Sequence, residues 1–390
     1  MIVTPVSVRS TTAVRDALLS HGWEGDVASL TAGGLDLEAY HVAGITSGAV
    51  ETMVPLAARL GLELVTGENW LILAGPRSRL GAFARPWVQP EPVQELAHAL
   101  GMAMPGEPAV VWQVAGATIR LDAPVLIGVI NVTPDSFVTS SRANGPAEVL
   151  RLADQLMGGG ATVLDLGGES TRPGAVPLEP EEEWARVGPA LEMLRVHHPS
   201  VPISIDTVHA TTAERAMAAG AAILNDVTAG RHDPRLLAVA AATGAGLVLS
   251  HSRGPLATIA SYDHAEYQGD VIRRVAEELG ASATIAYAAG VQADRVVLDP
   301  GFGFGKTPPQ NWQLLEGLDA IVALGRPVLA AVSRKRFLGL ATGHPIEARD
   351  AATAAACVLA ADRGARLFRI HAPDAVRDAL AVVSACRAAR

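Results

Sequence analysis

From Val125 to the C-terminus the sequence repeats one unit eight times: a short apolar run, a polar or Gly-rich loop, then a helix-like stretch. That repetition predicts an α/β fold, a (β/α)8 TIM barrel, preceded by a small α+β N-terminal domain. A second observation points the same way. Most of the runs are continuously apolar rather than alternating, as in strands buried on both faces. A third is size: eight units after residue 124 of a 390-residue chain suit a barrel of about 250 residues. A doubly wound open sheet would use fewer strands, and no G-x-G-x-x-G opens the first turn.

The runs are Val125–Ile130, Thr162–Leu166, Pro202–Ile205, Ala221–Leu224, Gly246–Leu249, Arg295–Leu298, Pro327–Val332 and Leu367–Ile370. Between them, Trp184, Val187, Leu191 and Leu194 mark one helix face, with Pro189 expected to kink or split that helix. Ala375, Ala379, Val382, Val383 and Cys386 mark the face of another. Gly158–Gly160 and Gly220 stand where helices should stop. Trp112–Leu121 reads as two short strands around Ala115–Gly116, a hairpin that could plug the closed bottom of the barrel.

Residues 1–108 read differently. They suggest strands Ile2–Val8, Leu37–Val42, Glu63–Val65 and Trp70–Leu73, and helices Ala13–His21, Ala49–Leu60 and Pro92–Leu100. Pro105, Gly106 and Pro108 suit a linker to the barrel at 109–390. His21, His41 and His98 are far apart in sequence, so this extension reads as a structural or oligomerisation module without a catalytic cluster.

Composition narrows the function. Hydrophobic residues make up 49% and charged residues 18%, which excludes wholesale disorder. With 6 Trp, 4 Tyr and 6 Phe, the core must be built from Ala, Val, Leu and Ile. A formal charge of −9 argues against a non-specific nucleic-acid binder or a polybasic membrane-surface protein. It permits an anionic substrate, which needs only a few local cations. Cys357 and Cys386 cannot form a disulfide scaffold or a multi-Cys zinc site, and are expected as buried thiols. Residues 1–30 lack a basic start followed by an apolar stretch, and the run Ala351–Ala361 is too short to cross a bilayer. The expectation is a soluble cytoplasmic protein with neither nucleic-acid nor membrane partner.

Polar residues gather where the strands end. The first leads to Asn131 and Thr133-Pro134-Asp135-Ser136, the second to Asp165 and Gly167–Pro173. The third leads to Asp206-Thr207, the fourth to Asn225-Asp226 and the fifth to Ser250-His251. The sixth leads to Asp299 and Pro300–Lys306, the seventh to Ser333-Arg334-Lys335-Arg336, the eighth to Arg369-Ile370-His371. One such end is ordinarily a helix cap, but eight exceed capping needs. In a barrel they converge on the carboxyl mouth, where active sites form.

Asp206, Asn225 and Asp299 could line a floor that satisfies the donors and carbonyl of an amino-pyrimidinone edge. Arg172, Lys335, Arg336, Arg369 and His371 come from strands two, seven and eight, a cluster on one side suited to phosphate. A polar heterocycle bearing a phosphate or diphosphate is the ligand this set suggests. A metal could bind through the Asn131 oxygen together with that diphosphate. Asp165 reads as a buried carboxylate held by backbone N–H groups, His251 as a core histidine, and Lys306 as a solvated loop charge. No Ser-His-Asp order, H-E-x-x-H or paired Cys is present.

The motifs Asn131–Phe137, Gly167–Gly174, Ile205–Thr207, Asn225-Asp226, Leu298–Lys306, Ser333–Lys335 and Arg369–His371 resemble, in order, those of the dihydropteroate synthase family. The resemblance covers Trp112 to the C-terminus. It implies a transferase that joins 6-hydroxymethyl-7,8-dihydropterin diphosphate to 4-aminobenzoate in folate synthesis. It also implies Mg2+ at Asn131 and a homodimer. Asp206, Asn225, Asp299 and Lys335 would hold the pterin. Asn131, Thr171, Arg172, Arg369 and His371 would engage the diphosphate. Thr171, Pro173, Phe304 and Arg336 would surround the aminobenzoate. The catalytic set would be Asp206, Lys335, Arg369, His371, Thr171 and Arg172. The chain departs from the family where Val138-Thr139-Ser140-Ser141 replaces the common Ser-Asp-Gly-Gly. Two other readings share the pterin floor. A methyl-transferring pterin barrel would not need Arg369, His371 or Ser333–Lys335; a catalytically silent pterin-binding paralogue would have the altered first loop as its support.

Overall fold

All eight apolar runs form strands, and the strands build one parallel sheet. The computed structural model describes residues 2–6, 37–76, 79–80, 83–84, 90–103, 111–132, 143, 145–169 and 178–388. Two compact units are present, one drawn chiefly from Met1–Glu107 and the other from Pro108 onward.

The N-terminal unit contains β1 (Ile2–Val6), β2 (Leu37–Ala43), α1 (Ser47–Leu60), β3 (Glu63–Thr66), β4 (Trp70–Pro76) and α2 (Glu91–Ala103). Its antiparallel sheet runs β1-β2-β4-β3. Thr46 caps α1 by accepting the Ala49 N–H, and Gly61 ends it at φ +63, a conformation glycine adopts without penalty. Tyr40, Val42, Met53, Leu71, Leu73, Phe83, Leu96 and Leu100 form the core. His41 stacks on Trp70. The helix expected at Ala13–His21 and the linker at Pro105–Pro108 lie outside the described residues.

The barrel unit opens with a hairpin, β5 (Val111–Val114) and β6 (Ala117–Arg120). The barrel strands are β7 (Val125–Asn131), β8 (Val163–Gly167), β9 (Ile203–Asp206), β10 (Ile223–Asp226), β11 (Gly246–Ser250), β12 (Val296–Asp299), β13 (Leu329–Ala330) and β14 (Leu367–Ile370). They are ordered β12-β11-β10-β9-β8-β7-β14-β13. A parallel bridge between Leu298 and Val328, with the Leu298 N–H donating to Pro327 O at 2.9 Å, joins the two ends of that order. β13 is shorter than its apolar run: Pro327 offers no N–H to a ladder, and Val328 joins Leu298 only by an isolated bridge.

The main helices between the strands are α3 (Pro146–Gly158), α4 (Pro180–His197), α5 (Ala210–Ala218), α6 (Arg235–Thr243), α7 (Val271–Ala288), α8 (Pro308–Glu316), α9 (Asp319–Val322), α10 (Arg336–Thr342), α11 (Asp350–Asp362) and α12 (Pro373–Ala388). Pro189 does not split α4. It lies on the exposed face, where water can satisfy the freed carbonyl while Val187, Leu191 and Leu194 pack inward. The buried face of α12 is not the one expected. Val376 and Leu380 are buried, whereas Ala375, Val382 and Cys386 are exposed. The larger Leu380 sets the rotation, so only Cys357 of the two thiols is buried.

The hairpin closes the bottom of the barrel. Trp112, Val114, Ile119 and Leu121 form one cluster with Val125, Ile127, Val163, Ile223, Val248, Val297, Leu329 and Leu367. Trp112 Nε1 donates to Arg295 O at 2.8 Å, and the Ala115 N–H donates to Ala222 O at 3.1 Å. Gly246 makes room for this plug. A Cβ there would lie 2.6 Å from Val114 Cγ1 and 3.0 Å from the Trp112 ring. Gly246→Ala is therefore expected to cost about 1–3 kcal/mol through overpacking. A lowered thermal midpoint would register it, and an unchanged midpoint would show that the plug yields freely.

Candidate active site

The barrel interior changes chemistry along each strand. Side chains alternate between faces, so residues two apart share one. Val163, Ile223, Val248, Val297 and Leu367 belong to the apolar bottom cluster. Two residues further on stand Asp165, Asn225, Ser250, Asp299 and Arg369. Register aligns the upper tier: Asn131 pairs with Gly167, Gly167 with Asp206, and Asp206 with Asn225. Ser250 pairs with Asp299. Asn131, Asp206, Asn225, Ser250 and Asp299, expected just beyond the apolar runs, are thus among the last rungs of their strands, fixed by the ladders.

Arg369 ties this tier together. Its Nε donates to Asp165 Oδ2 and its Nη2 to Asp206 Oδ2, each at 2.7 Å. Asp165 was expected to be held by backbone N–H groups; its partner is instead this guanidinium, 204 residues away in sequence. Burial opposes the charge on Arg369, but Asp165 and Asp206 together raise its affinity for the proton. Burial pushes Asp206 up to about 7, with Arg369 pulling the other way. Burial also raises Asp299, although Oδ1 accepts the Gly301 N–H at 2.8 Å and Oδ2 the Ser250 hydroxyl at 3.1 Å. Asp165 Oδ1, Ser204 Oγ and Asn225 Oδ1 are buried without a hydrogen-bond partner among the described residues. Such atoms are costly in a dry interior, so the tier is chemically suited to a ligand rich in N–H groups.

Asp226, next to Asn225, serves its own loop. Its carboxylate accepts from the Thr228 N–H and hydroxyl and from the Gly230 N–H.

Cations and a neutral imidazole border the tier. Lys335 Nζ sits 4.2 Å above the Phe304 ring centroid. Burial pushes Lys335 down to about 8, opposed by Asp299. Phe304 is buried with Val208, Val227 and Ile259. Ser333 Oγ accepts the His371 backbone N–H at 3.1 Å and lies 2.8 Å from His371 Nδ1. With the hydroxyl proton directed to Nδ1, Nε2 is the protonated donor. Burial, then Arg369, Arg334 and Lys335, push His371 down to about 3, so the ring is neutral. Between Ser333 and Lys335, Arg334 adopts a left-handed φ of +56. Its guanidinium holds Asp350 through Nε at 2.6 Å and Nη2 at 2.8 Å, which fixes this strained turn.

Not all expected residues fall in this group. Arg336 is exposed, with Cζ 5.4 Å from the Tyr262 ring centroid. Thr171, Arg172 and Pro173 lie outside the described residues, as do Thr133–Ser136 and Val138–Ser141. Glu169 Oε1 accepts the Leu178 N–H at 2.9 Å. Lys306 is not a solvated charge. It is fully buried, because main-chain carbonyls and His251 supply the acceptors that water would otherwise give.

The family model described as Pterin binding enzyme matches residues 127–371. The dihydropteroate synthase of Mycobacterium leprae is 41% identical over 270 residues, 67% of this chain and 94% of that protein. The chain belongs to the dihydropteroate synthases of the pterin binding enzyme family. Another dihydropteroate synthase similar to it, from Bacillus subtilis, is 38% identical over 247 residues, 63% of this chain and 83% of the relative. Solved dihydropteroate synthases share the fold. That of Xanthomonas albilineans with 4-aminobenzoic acid superposes with a TM-score of 0.64 at 41% identity, covering 72% of this chain and 99% of its own. That of Yersinia pestis in a sulfonamide drug complex gives 0.67 at 34% identity, covering 71% and 99%.

Proposed function

We propose that this dihydropteroate synthase condenses 6-hydroxymethyl-7,8-dihydropterin diphosphate with 4-aminobenzoate, yielding 7,8-dihydropteroate and diphosphate in folate biosynthesis. The observation that carries the reading is the tier of inward acids and amide around Arg369, with Asn225 Oδ1 buried and unpartnered among the described residues. An amino-pyrimidinone edge brings the N–H donors that Asp206, Asn225 and Asp299 can accept, and Lys335 caps its carbonyl side.

In the reaction the methylene–oxygen bond breaks, diphosphate leaves with the electron pair, and the aniline nitrogen bonds to the methylene and loses a proton. The electron-rich pterin spreads the positive charge, and the carboxylates of Asp206 and Asp299 oppose it. Arg369, Lys335 and the Nε2–H of His371 face the departing oxyanion, and Thr171 and Arg172 are assigned to the same group. Thr171, Pro173, Phe304 and Arg336 are assigned to the aminobenzoate. The aniline is neutral at pH 7, so no strong base is required.

Among the described residues no group of three or more His, Cys, Asp or Glu side chains could hold a metal. The donor set fits Mg2+ carried largely by the diphosphate, with the amide oxygen of Asn131 as its protein ligand. When bound, the ion would neutralise charge on the leaving group. We also assign a cytoplasmic location and a homodimer, which the family resemblance supports. Among the described residues no helix is long and apolar enough to cross a membrane.

Release of diphosphate only when both substrates are present would bear the reading out. Pterin binding without release would favour a silent paralogue. The same assay on a chain lacking residues 1–108 tests the assignment of that segment to a structural or oligomerising role, under which turnover persists.

The floor also predicts a pH dependence. With Asp206 raised to about 7, its carboxylate fraction is small at pH 5.5 and grows as pH rises. Because the pterin N–H groups need the carboxylate, affinity for 6-hydroxymethylpterin should strengthen roughly tenfold or more between about pH 5.5 and 7.5. Titration calorimetry reads this directly, and a flat profile would remove Asp206 from the floor.

A further inference from the structure

Lys306 lies inside the loop that follows β12, and its Nζ donates to the carbonyl oxygens of Gly301 and Phe304, each at 3.0 Å. The same atom lies 2.9 Å from His251 Nδ1. The other ring nitrogen, Nε2, is 3.0 Å from Glu278 Oε2. Burial opposes the Glu278 charge, but His251 and Arg253 hold its carboxyl down at about 2. Nε2 must therefore donate, Nδ1 must accept, and Lys306 must be the donor to it. Burial, then Lys306, keep the imidazole neutral, pushed down to about 3. Burial also pushes Lys306 down to about 7, yet its three short acceptors match the three N–H groups of an ammonium.

This knot shapes the loop from within. Gly301 has φ +68, and a Cβ there would lie 1.8 Å from His251 O, so only glycine lets the end of the fifth barrel strand approach this closely. The Gly301 N–H holds Asp299, and the Tyr267 hydroxyl donates to Gly305 O at 3.0 Å. Between those ties stands Phe304, whose ring lies against the Lys335 ammonium.

We propose that Lys306 and His251 form a positioning element for the amine acceptor: together they hold Gly301–Gly305 so that Phe304, and Lys335 above it, present one wall to the aminobenzoate. The proposal rests on the dihydropteroate synthase reading. Lys306 is fully enclosed, so it acts through the loop rather than on a substrate.

The His251 side chain offers a clean separation. Asn places its amide near the position of Nδ1 and keeps an acceptor for Lys306; Gln places its amide near Nε2 and keeps only the Glu278 partner. The expected result is a KM for 4-aminobenzoate raised about tenfold in His251→Gln, and at least as much in Lys306→Met, with His251→Asn near the wild type. Affinity for 6-hydroxymethylpterin, measured by calorimetry, should stay within about threefold in all of them. Equal KM values for His251→Asn and His251→Gln, or equal losses for pterin and aminobenzoate, would overturn the proposal and leave the functional reading standing. Absence of diphosphate release by the wild-type chain would overturn both. Should Lys306→Met not fold, the two His251 variants decide the matter.

Discussion

Replacing Arg369 with alanine is expected to lower turnover by about 10²-fold or more, the scale of losing a charge donor to the transition state. The structure adds a second consequence. Arg369 bridges Asp165 and Asp206, so its removal leaves two carboxylates facing each other in a buried tier. Breaking a buried pair of this kind costs about 3–5 kcal/mol. The floor can relieve that cost by taking up a proton, because Asp206 already sits near 7 with the guanidinium in place and loses the cation that holds it down. The residual activity of the variant should therefore shift to higher pH. Arg369→Lys keeps a positive charge but cannot reach both acids with a planar fork, and should fall between the two. Turnover across pH, read alongside the thermal midpoint, separates the parts. Wild-type turnover in a folded Arg369→Ala protein would place the leaving-group charge elsewhere.

The apolar runs were legible because strands covered on both faces have no room for charge. Their carboxyl ends were legible as a candidate site because Asn131, Asp206, Asn225 and Asp299 are residue types a buried strand avoids. Their exact rung was not, since a polar residue after an apolar run reads as the start of a loop. A two-residue period would have found it. Val163 leads to Asp165, Val297 to Asp299 and Leu367 to Arg369, each pair on the inward face. The Arg369–Asp165 pair stayed hidden because β8 and β14 are distant in sequence and meet only through β7. Lys306 was misread for a related reason. Its acceptors are main-chain carbonyls and a histidine 55 residues away, and neither leaves a trace in the local sequence. The rotation of α12 failed on a different ground, because adjacent small and branched residues offer two stripes of equal period.

Lys335 gives the second large effect. Its ammonium lies 4.2 Å over the Phe304 ring, at the side of the tier where the resemblance puts both substrates. Burial pushes it down to about 8, while Asp299 favours the charged form. At pH 7 it is therefore mostly protonated, and it loses that proton as pH rises through about 8. Lys335→Met keeps a stem that can pack on Phe304 but removes the charge. A fall in kcat/KM of about 10²–10³-fold is expected, since a charge aimed at a developing anion in a water-poor site is worth several kcal/mol. The wild-type profile should decline above about pH 8, and in Lys335→Met that decline should vanish because the titrating group is gone. A variant that loses activity yet keeps the alkaline decline would assign the titration to another group, with Lys306 the nearest alternative because burial lowers it as well. The two lysines differ in what surrounds them: Lys306 is satisfied wholly by protein acceptors, whereas Lys335 faces an aromatic ring and the acids of the floor. Only the second can spend its charge on a bound anion.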